Sequence, residues 1–196
     1  SAVSRGLGDV YKRQASLGSE TSGSILSPSS ANSLVGMKPT IGNVSRAGIV
    51  PISSTLDTAG PMTKFVIDNI LIYNAINDFD PLDDYSVENY DIKIKEVVEN
   101  KLEEYTIGYY KSFYERDSLY KNAIDFLIED GVKLQAIDAP QIRLEGFAKI
   151  LDEDMRYDLR SYLFFYGSKN LKVEDISSIV KYNEMDSLER APYGQG

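Results

Sequence analysis

A strand–helix–strand pattern over residues 105–137 constrains the fold of this chain more than any other feature. Residues 105–110 (Y-T-I-G-Y-Y) are aromatic and β-branched, as strands are, and residues 132–137 predict a second strand. Between them, Asp117 or Ser118 can cap a helix that ends near Gly131. Its apolar stripe would be formed by Leu119, Ala123, Phe126 and Leu127. Two strands joined in this way form a βαβ unit with a right-handed crossover, which predicts an α/β fold.

Three further helices are predicted around this unit. Residues 65–77 carry apolar side chains around much of a helical circumference, which indicates a well-buried helix. After an acidic, polar and exposed excursion over residues 83–104, a longer helix is predicted from apolar residues at helical spacing, and the last helix covers about residues 173–183. The spaced residues of the longer helix are Phe147, Ile150, Leu151, Leu159, Tyr162 and Leu163.

Residues 15–64 differ in composition from the rest of the chain. They are rich in Gly, Ser, Thr and Pro, which is typical of loops and short strands. Apolar residues are interleaved among them, unlike in a flexible linker. These are Ile25, Leu34, Val35, Met37, Ile41, Val44, Ile49, Val50 and Ile52. We therefore expect a buried, loop-rich core segment that concentrates the functional loops.

The composition narrows the chemistry. With no His and no Cys, the chain lacks the commonest general base, the commonest zinc ligand and any thiolate. A net charge of −9 argues against a nucleic-acid surface, which needs a basic patch. No apolar run approaches the roughly 18 residues that span a bilayer. The composition thus predicts no nucleic-acid partner and no membrane segment.

The stretch G-S-E-T-S-G-S-I-L (residues 18–26) has three interpretations. Its two glycines match the start of a phosphate-binding P-loop, but the Lys that should follow is missing. Local composition favours a structural Gly/Ser turn. The third interpretation places a nucleophilic serine on a tight loop whose backbone amides form an oxyanion hole.

Linked motifs downstream favour the third interpretation. P-S-S, G-M-K-P-T (residues 36–40), G-N-V-S-R-A-G-I-V-P (42–51) and S-S-T-L-D-T-A-G-P-M (53–62) follow in order at tight spacing. Together with residues 18–25 they resemble the amidase signature family, densely over residues 15–64 and more weakly beyond. The resemblance implies an α/β fold with a mixed β-sheet core flanked by helices on both faces, incomplete in this chain.

The resemblance also implies a catalytic arrangement. Ser24 would be the nucleophile, and the backbone amides of Thr21, Ser22, Gly23 and Ser24 would form the oxyanion hole. Glu20 occupies an acidic position that is more often Asp, Ser22 replaces a usual Gly, and Leu26 replaces a usual Arg. In the family, a neutral lysine and a relay serine at a cis peptide bond accept the proton. Both lie upstream of the nucleophile, and neither is assigned to a residue of this chain.

The function so implied is hydrolysis of a carboxamide through a serine acyl-enzyme, with a small amide as substrate and no cofactor or metal. Two alternatives remain: the amidase subunit of a tRNA-dependent amidotransferase, which works in a complex, or a non-catalytic binding or scaffold member of the fold. A cytoplasmic location is favoured, and the oligomeric state is not predicted.

The chain ends and three polar sites carry further expectations. Residues 4–14 (S-R-G-L-G-D-V-Y-K-R-Q) match a translated sequencing-library adapter, so residues 1–14 are interpreted as an artefact or remnant. Residues 15–196 would be one partial amidase domain that lacks activity by itself. We expect Lys38 to be structural, Asp57 to brace a turn at Gly60-Pro61, and the run Asp152, Glu153, Asp154 to be solvated.

Overall fold

The computed structural model describes residues 15–170 and 173–185 and divides into two compact units. One unit comprises the chain up to Ile92 together with the chain from Gly146 onward, and the other comprises Lys93–Glu145. Each unit has its own sheet, so the α/β class predicted from the sequence is confirmed with antiparallel strands in one unit and parallel strands in the other.

The sheet of the first unit has three antiparallel strands: β1 (Ala15–Glu20), β2 (Val35–Gly36) and β3 (Thr58–Thr63). Their order is β1-β3-β2, and Gly18 of β1 faces Gly60 of β3. The turn predicted at Gly60-Pro61 is wrong, because both residues lie inside the central strand. Pro61 has no N–H to donate, but its carbonyl oxygen accepts the amide of Met37 at 3.0 Å. A Cβ on Gly60 would overlap the carbonyl oxygen of Met37, so only glycine fits there.

Two helices flank this part of the chain: α1 (Leu26–Ala31) and α2 (Val66–Ile76). The composition of residues 15–64 did not indicate α1. The helix predicted over residues 65–77 is confirmed, but its predicted all-round burial is wrong, since Val66 and Leu71 are each 54% exposed. The side-chain amide of the fully buried Asn69 donates to the carbonyl oxygens of Val35 and Pro61. These two hydrogen bonds connect α2 to both β2 and β3.

The core of the first unit is drawn largely from its loops. Val44, Ala59 and Tyr73 form its buried centre, and Ile25 is fully buried beside the sheet. Packed around the centre are Met37, Ile49, Ile76 and Ile92. The loop-rich core predicted for residues 15–64 is therefore confirmed at these positions, although Val50 and Ile52 are exposed.

The second unit contains the predicted βαβ pattern. After α3 (Ile94–Glu99) and a short 3₁₀ turn (Leu102–Glu104), β4 (Thr106–Tyr110) leads through α4 (Lys111–Arg116) and α5 (Ser118–Glu129) to β5 (Lys133–Ile137). The two strands pair in parallel, as predicted, but two helices rather than one connect them.

The ends of α5 are those predicted, whereas its buried side is not. The Asp117 carboxylate accepts the amides of Leu119 and Tyr120 at 2.9 and 3.0 Å, and Gly131 has a φ of 82° just beyond the helix. Ile124 is the buried residue of this helix within the described chain. Leu119 and Phe126, which the sequence placed on the apolar stripe, are both exposed in the described structure.

The chain returns to the first unit through α6 (Phe147–Tyr166) and α7 (Ile176–Met185). The longer helix is confirmed from Phe147 onward. The last helix begins later than the predicted residue 173, because the Asp175 carboxylate accepts the amide of Ser178 at 2.7 Å and so caps the helix there.

Candidate active site

The loop that carries the predicted nucleophile leaves β1 at Glu20 and enters α1 at Leu26. Gly23 has a φ of 96°, a left-handed conformation that glycine adopts without strain. The amide of Ser27 donates to the carbonyl oxygen of Gly23 at 2.8 Å, so the first helical turn already begins at this glycine. The loop therefore changes direction at Gly23, and Ser24 stands at the start of a helical turn.

Glu20 holds the far end of this loop. Its side chain is buried, with 3% of the residue exposed, and its carboxylate accepts the amides of Ile25 and Leu26 at 2.7 and 2.9 Å. Ile25 is itself fully buried, so the backbone after Ser24 is fixed by a hydrogen-bonded pair and by packing. The family Arg that Leu26 replaces is not needed to satisfy this carboxylate, since backbone amides do so.

Glu20 is held in its charged form. Burial opposes the charge, but the amides of Leu26, Ile25 and Gly23 and the positive charge of Lys38 outweigh it and lower the pKa of Glu20 below its ordinary value. Lys38 has an exposed side chain and lies in the segment between β2 and β3. Its charge thus supports the loop electrostatically, which agrees with the structural role expected for it.

The four predicted oxyanion residues, Thr21, Ser22, Gly23 and Ser24, lie together in this one loop. Ser24 is exposed, and its hydroxyl has no hydrogen-bond partner within residues 15–170 and 173–185. In the same part of the chain, the amides of Thr21, Ser22 and Ser24 donate to no other protein group, whereas the amide of Gly23 is directed at Glu20. Three backbone donors next to an accessible hydroxyl can bind an oxyanion.

The near end of the loop is tied to a second loop. The hydroxyl of Thr21 donates to Oδ1 of Asp57 at 2.5 Å, and Oδ2 of Asp57 accepts the amides of Ile52 and Ser53 at 2.8 and 2.9 Å. Asp57 therefore braces the turn over residues 52–57, rather than the predicted turn at Gly60-Pro61. The other carboxylate oxygen, Oδ1, accepts the hydroxyl of Thr21 and so reaches the candidate loop.

A buried ion pair supports this second loop. Arg46 and Asp83 form a bidentate pair with both distances at 3.0 Å and with side chains only 11% and 4% exposed. Arg46 also donates to the carbonyl oxygen of Ser54 at 2.5 Å and stacks over the ring of Tyr85. Although burial opposes both charges, the pairing lowers the pKa of Asp83 and raises that of Arg46. Sequence reasoning missed this pair because its partners are 37 residues apart.

Helix α6 contributes two carboxylates to the same loop. Asp154 accepts the hydroxyl of the fully buried Ser53, and Asp158 accepts the amide of Ser54 at 2.6 Å. The hydrogen bond from Ser53 lowers the pKa of Asp154. The expectation that this acidic run is solvated is therefore wrong for Asp154. The spacing of Asp154 and Asp158, one helical turn apart, was the available signal that they share a face.

An open cleft of about 650 Å³ borders the second loop at Ser54 and Asp57, and its lining does not include Ser24. Ser19 and Thr58, which adjoin Glu20 and Asp57 in the chain, lie at its strand side. Its opposite wall is aromatic and is formed by Tyr157, Tyr162, Phe165 and Tyr166 of α6. The cleft is large enough to bind a small organic molecule.

Two absences are observed within the described residues. In residues 15–170 and 173–185, no group of three His, Cys, Asp or Glu side chains is arranged to hold a metal ion. None of the helices in that part of the chain combines the length and apolarity that crossing a bilayer requires.

Comparison with known proteins identifies the family. The family model for Amidase matches residues 9–174. The chain belongs to the amidase signature family. The match runs without interruption through residues of both compact units and includes the whole candidate loop of this amidase chain.

Individual relatives agree with this assignment. The chain is 34% identical, over 83% of its length, to a subunit of the glutamyl-tRNA(Gln) amidotransferase of Ligilactobacillus salivarius, and it covers 27% of that protein. The fold matches the crystal structure of an amidase family protein from Bacillus anthracis with a TM-score of 0.77 and 29% identity, over 92% of this chain and 37% of the other. It matches the peptide amidase of Stenotrophomonas maltophilia with a TM-score of 0.73 and 25% identity, over 88% and 37%. The amidase chain thus spans about a quarter of the length of the curated relative.

Proposed function

We propose that this chain carries the nucleophile and oxyanion loop of a serine amidase that cleaves a carboxamide C–N bond. The observation that supports this most is the loop of residues 21–24. An exposed hydroxyl stands beside amides that donate to no other described group, in a segment fixed at one end by the buried Glu20 and at the other by the partly buried Asp57. A solvated structural turn would have no need of such fixation.

In the proposed reaction, Oγ of Ser24 forms a bond to the carbonyl carbon of the amide, and the carbonyl oxygen becomes an oxyanion. The amides of Thr21, Ser22 and Ser24 donate to that oxyanion, and Gly23 gives the loop its curvature. The C–N bond then breaks, and the proton lost by Ser24 passes to the departing nitrogen. Water hydrolyses the resulting ester, which releases the carboxylate and regenerates the hydroxyl.

The proton acceptor is the part of this proposal that the named residues do not supply. Family resemblance implies a relay serine and a neutral lysine upstream of Ser24, and we assign neither to a residue of this chain. Lys38 is a poor substitute, because it is exposed and its charge stabilises Glu20. A lysine that acts as a base must lose its charge through burial or crowding.

We further propose that residues 15–196 form one partial amidase domain, since the family match over residues 9–174 includes residues of both compact units. The substrate would be a small amide. The proposed chemistry needs no metal and no organic cofactor.

The decisive experiment replaces Ser24 by alanine in the full reading frame that contains this sequence. We expect turnover of a small amide to fall by at least about a thousandfold, since the residual catalysis comes from binding groups alone. A fluorophosphonate probe should add its mass to the unaltered protein and not to Ser24→Ala. Ser30→Ala is the matched control, because Ser30 is an exposed serine of α1 whose hydroxyl has no partner within the described residues. Turnover retained in Ser24→Ala would contradict the proposal.

The principal alternative is an amidotransferase subunit, which the 34% identical relative favours. Such a component would release ammonia to a partner rather than to solvent. Stimulation of Ser24-dependent glutaminase activity by co-purified partner subunits would support this alternative. A protein that neither turns over amides nor reacts with the probe would instead be a non-catalytic member of the family.

A further inference from the structure

We infer that Asp57 and Thr21 are positioning residues that set the first amide of the oxyanion loop through the hydrogen bond between their side chains. The inference rests on the proposed function of Ser24, and it concerns the Thr21 end of the same loop. Thr21 is the first loop residue after β1, and its backbone amide is one of the three loop amides that donate to no group of the described residues. The bond between the Thr21 and Asp57 side chains restricts rotation of the Thr21 backbone and so sets the direction of that amide.

Asp57 is suited to this role because its own position is strongly fixed. Oδ2 accepts two backbone amides, those of Ile52 and Ser53, and the amide of Asp57 donates to the carbonyl oxygen of Ser53 at 2.8 Å. The turn it closes is held in turn by Arg46 and by Asp154. Oδ1 is therefore an acceptor in a fixed place, and the hydroxyl of Thr21 lies 2.5 Å from it.

The two ends of the loop are fixed by different groups. Glu20 accepts the amides of Ile25 and Leu26, which follow Ser24, and has no bond to the Thr21 side chain. Without the Thr21–Asp57 bond, the segment before Ser24 would be held only by the pairing of Glu20 in β1 and by the contact of the Gly23 amide with Glu20. No side-chain bond would then hold Thr21 itself. Backbone donors must lie within a few tenths of an ångström of the oxyanion to act on it, so this freedom would reduce catalysis rather than folding.

The test uses the full reading frame with four single variants and one double variant. Thr21→Val removes the hydroxyl and keeps the shape, Thr21→Ser restores the hydroxyl, and Asp57→Asn weakens the acceptor. Thr40→Val is the matched control, because Thr40 is exposed and its hydroxyl has no bond within the described residues. We expect Thr21→Val to lower kcat about tenfold, a fraction of the roughly 10²–10³ that one oxyanion donor provides, with KM changed by less than about twofold.

Three further results are expected if the bond serves the chemistry. Thr21→Ser should recover kcat to within about twofold of the unaltered enzyme, and Thr40→Val should not change it. The double variant Thr21→Val/Asp57→Asn should lower kcat by less than the product of the two single effects, since both changes act on the same bond.

Defined outcomes overturn the inference. A kcat of Thr21→Val within about twofold of the unaltered enzyme would do so, and so would a Thr21→Ser variant as slow as Thr21→Val. These failures differ from failure of the proposed function. If Ser24→Ala keeps its turnover, the nucleophile is wrong, whereas loss of turnover in Ser24→Ala beside an unimpaired Thr21→Val refutes only the positioning role.

Discussion

Carboxylates serve different purposes in the site-bearing loops and in the βαβ unit. In the loops, Glu20, Asp57 and Asp83 accept backbone amides or a buried guanidinium, and Glu20 and Asp83 are almost inaccessible to solvent. In the second compact unit, four acidic groups form pairs with lysines on helix surfaces, with every partner at least 36% exposed. These pairs are Lys93–Glu96, Lys95–Glu99, Lys111–Glu115 and Lys121–Asp125.

Carboxylates of the first kind fix the backbone conformation, whereas those of the second kind lie on the surface and do not. A buried carboxylate that accepts amides replaces the regular secondary structure that residues 21–57 largely lack, so its removal leaves several groups unsatisfied. A surface pair exchanges one solvated state for another and stabilises the fold little. Equivalent substitutions in the two regions should therefore differ in cost.

The largest difference is expected between Asp83→Ala and Asp125→Ala. Loss of Asp83 leaves the guanidinium of Arg46 buried without its carboxylate, which should lower the free energy of unfolding by about 3–5 kcal/mol. Loss of Asp125 removes only an exposed pair with Lys121 and a hydrogen bond from Tyr114, so it should cost much less. Denaturant unfolding of both variants measures the difference, and equal costs would remove the distinction drawn between the two regions.

A smaller effect is expected for Glu20→Gln. The amides of Ile25 and Leu26 both donate to Oε2, so a glutamine whose amide oxygen lies there can still accept them. The glutamine lacks the negative charge that strengthens both hydrogen bonds, so we expect a loss of about 2 kcal/mol. Glu115→Gln, on the surface of α4, is the matched control and should change stability by less than about 0.5 kcal/mol.

The pH dependence sharpens this comparison. The pKa of Glu20 is lowered from its ordinary value of 4.5, so the folded state binds a proton less readily than the unfolded state. Its stabilising contribution is fully present above pH 4.5 and is lost as the pH falls through the lower pKa of the folded protein. The gap in stability between the unaltered protein and Glu20→Gln should therefore narrow on acidification below pH 4.5. A gap that widened there would contradict the assignment.

The smallest effect is expected at the helix cap of the βαβ unit. Asp117→Ala removes the acceptor for the amides of Leu119 and Tyr120, which should cost about 1 kcal/mol. Asp130→Ala, at the other end of α5, removes a negative charge near the helix C-terminus and should be neutral or slightly stabilising. Thermal unfolding of the two variants should shift the midpoint in different directions or by clearly different amounts.

The sequence predicted those parts of the fold whose signals are local. The cap at Asp117, the glycine after α5, the two strands of the βαβ unit and the start of α6 all depend on neighbouring residues, and the structure agrees with them. Helix α1 escaped prediction because P-S-S in residues 28–30 has turn composition, yet the burial of Ile25 and the Glu20 bonds impose a helix there. The strand through Gly60-Pro61 escaped for a similar reason, since tertiary pairing overrides turn propensity.

For the site, the motif resemblance brought Thr21, Ser22, Gly23 and Ser24 to attention, and they do lie in one loop. Their roles remain predictions. What holds the loop was not predictable from its own residues, because the partners are distant in sequence. Thr21 and Asp57 are 36 residues apart, and Ser53 and Asp154 are 101 apart. No periodic pattern links such positions, so only the folded chain reveals them.

The close crossing at Gly60 also limits how this protein can vary. The carbonyl oxygen of Met37 occupies the space where any side chain at position 60 would begin. Because this oxygen belongs to the backbone, it cannot rotate out of the way. In a library randomised over residues 36–62, selection for folded protein should accept almost any residue at exposed positions such as Thr40 and return only glycine at position 60. Exposed positions between β2 and β3 would then vary in sequence, whereas position 60 would remain glycine.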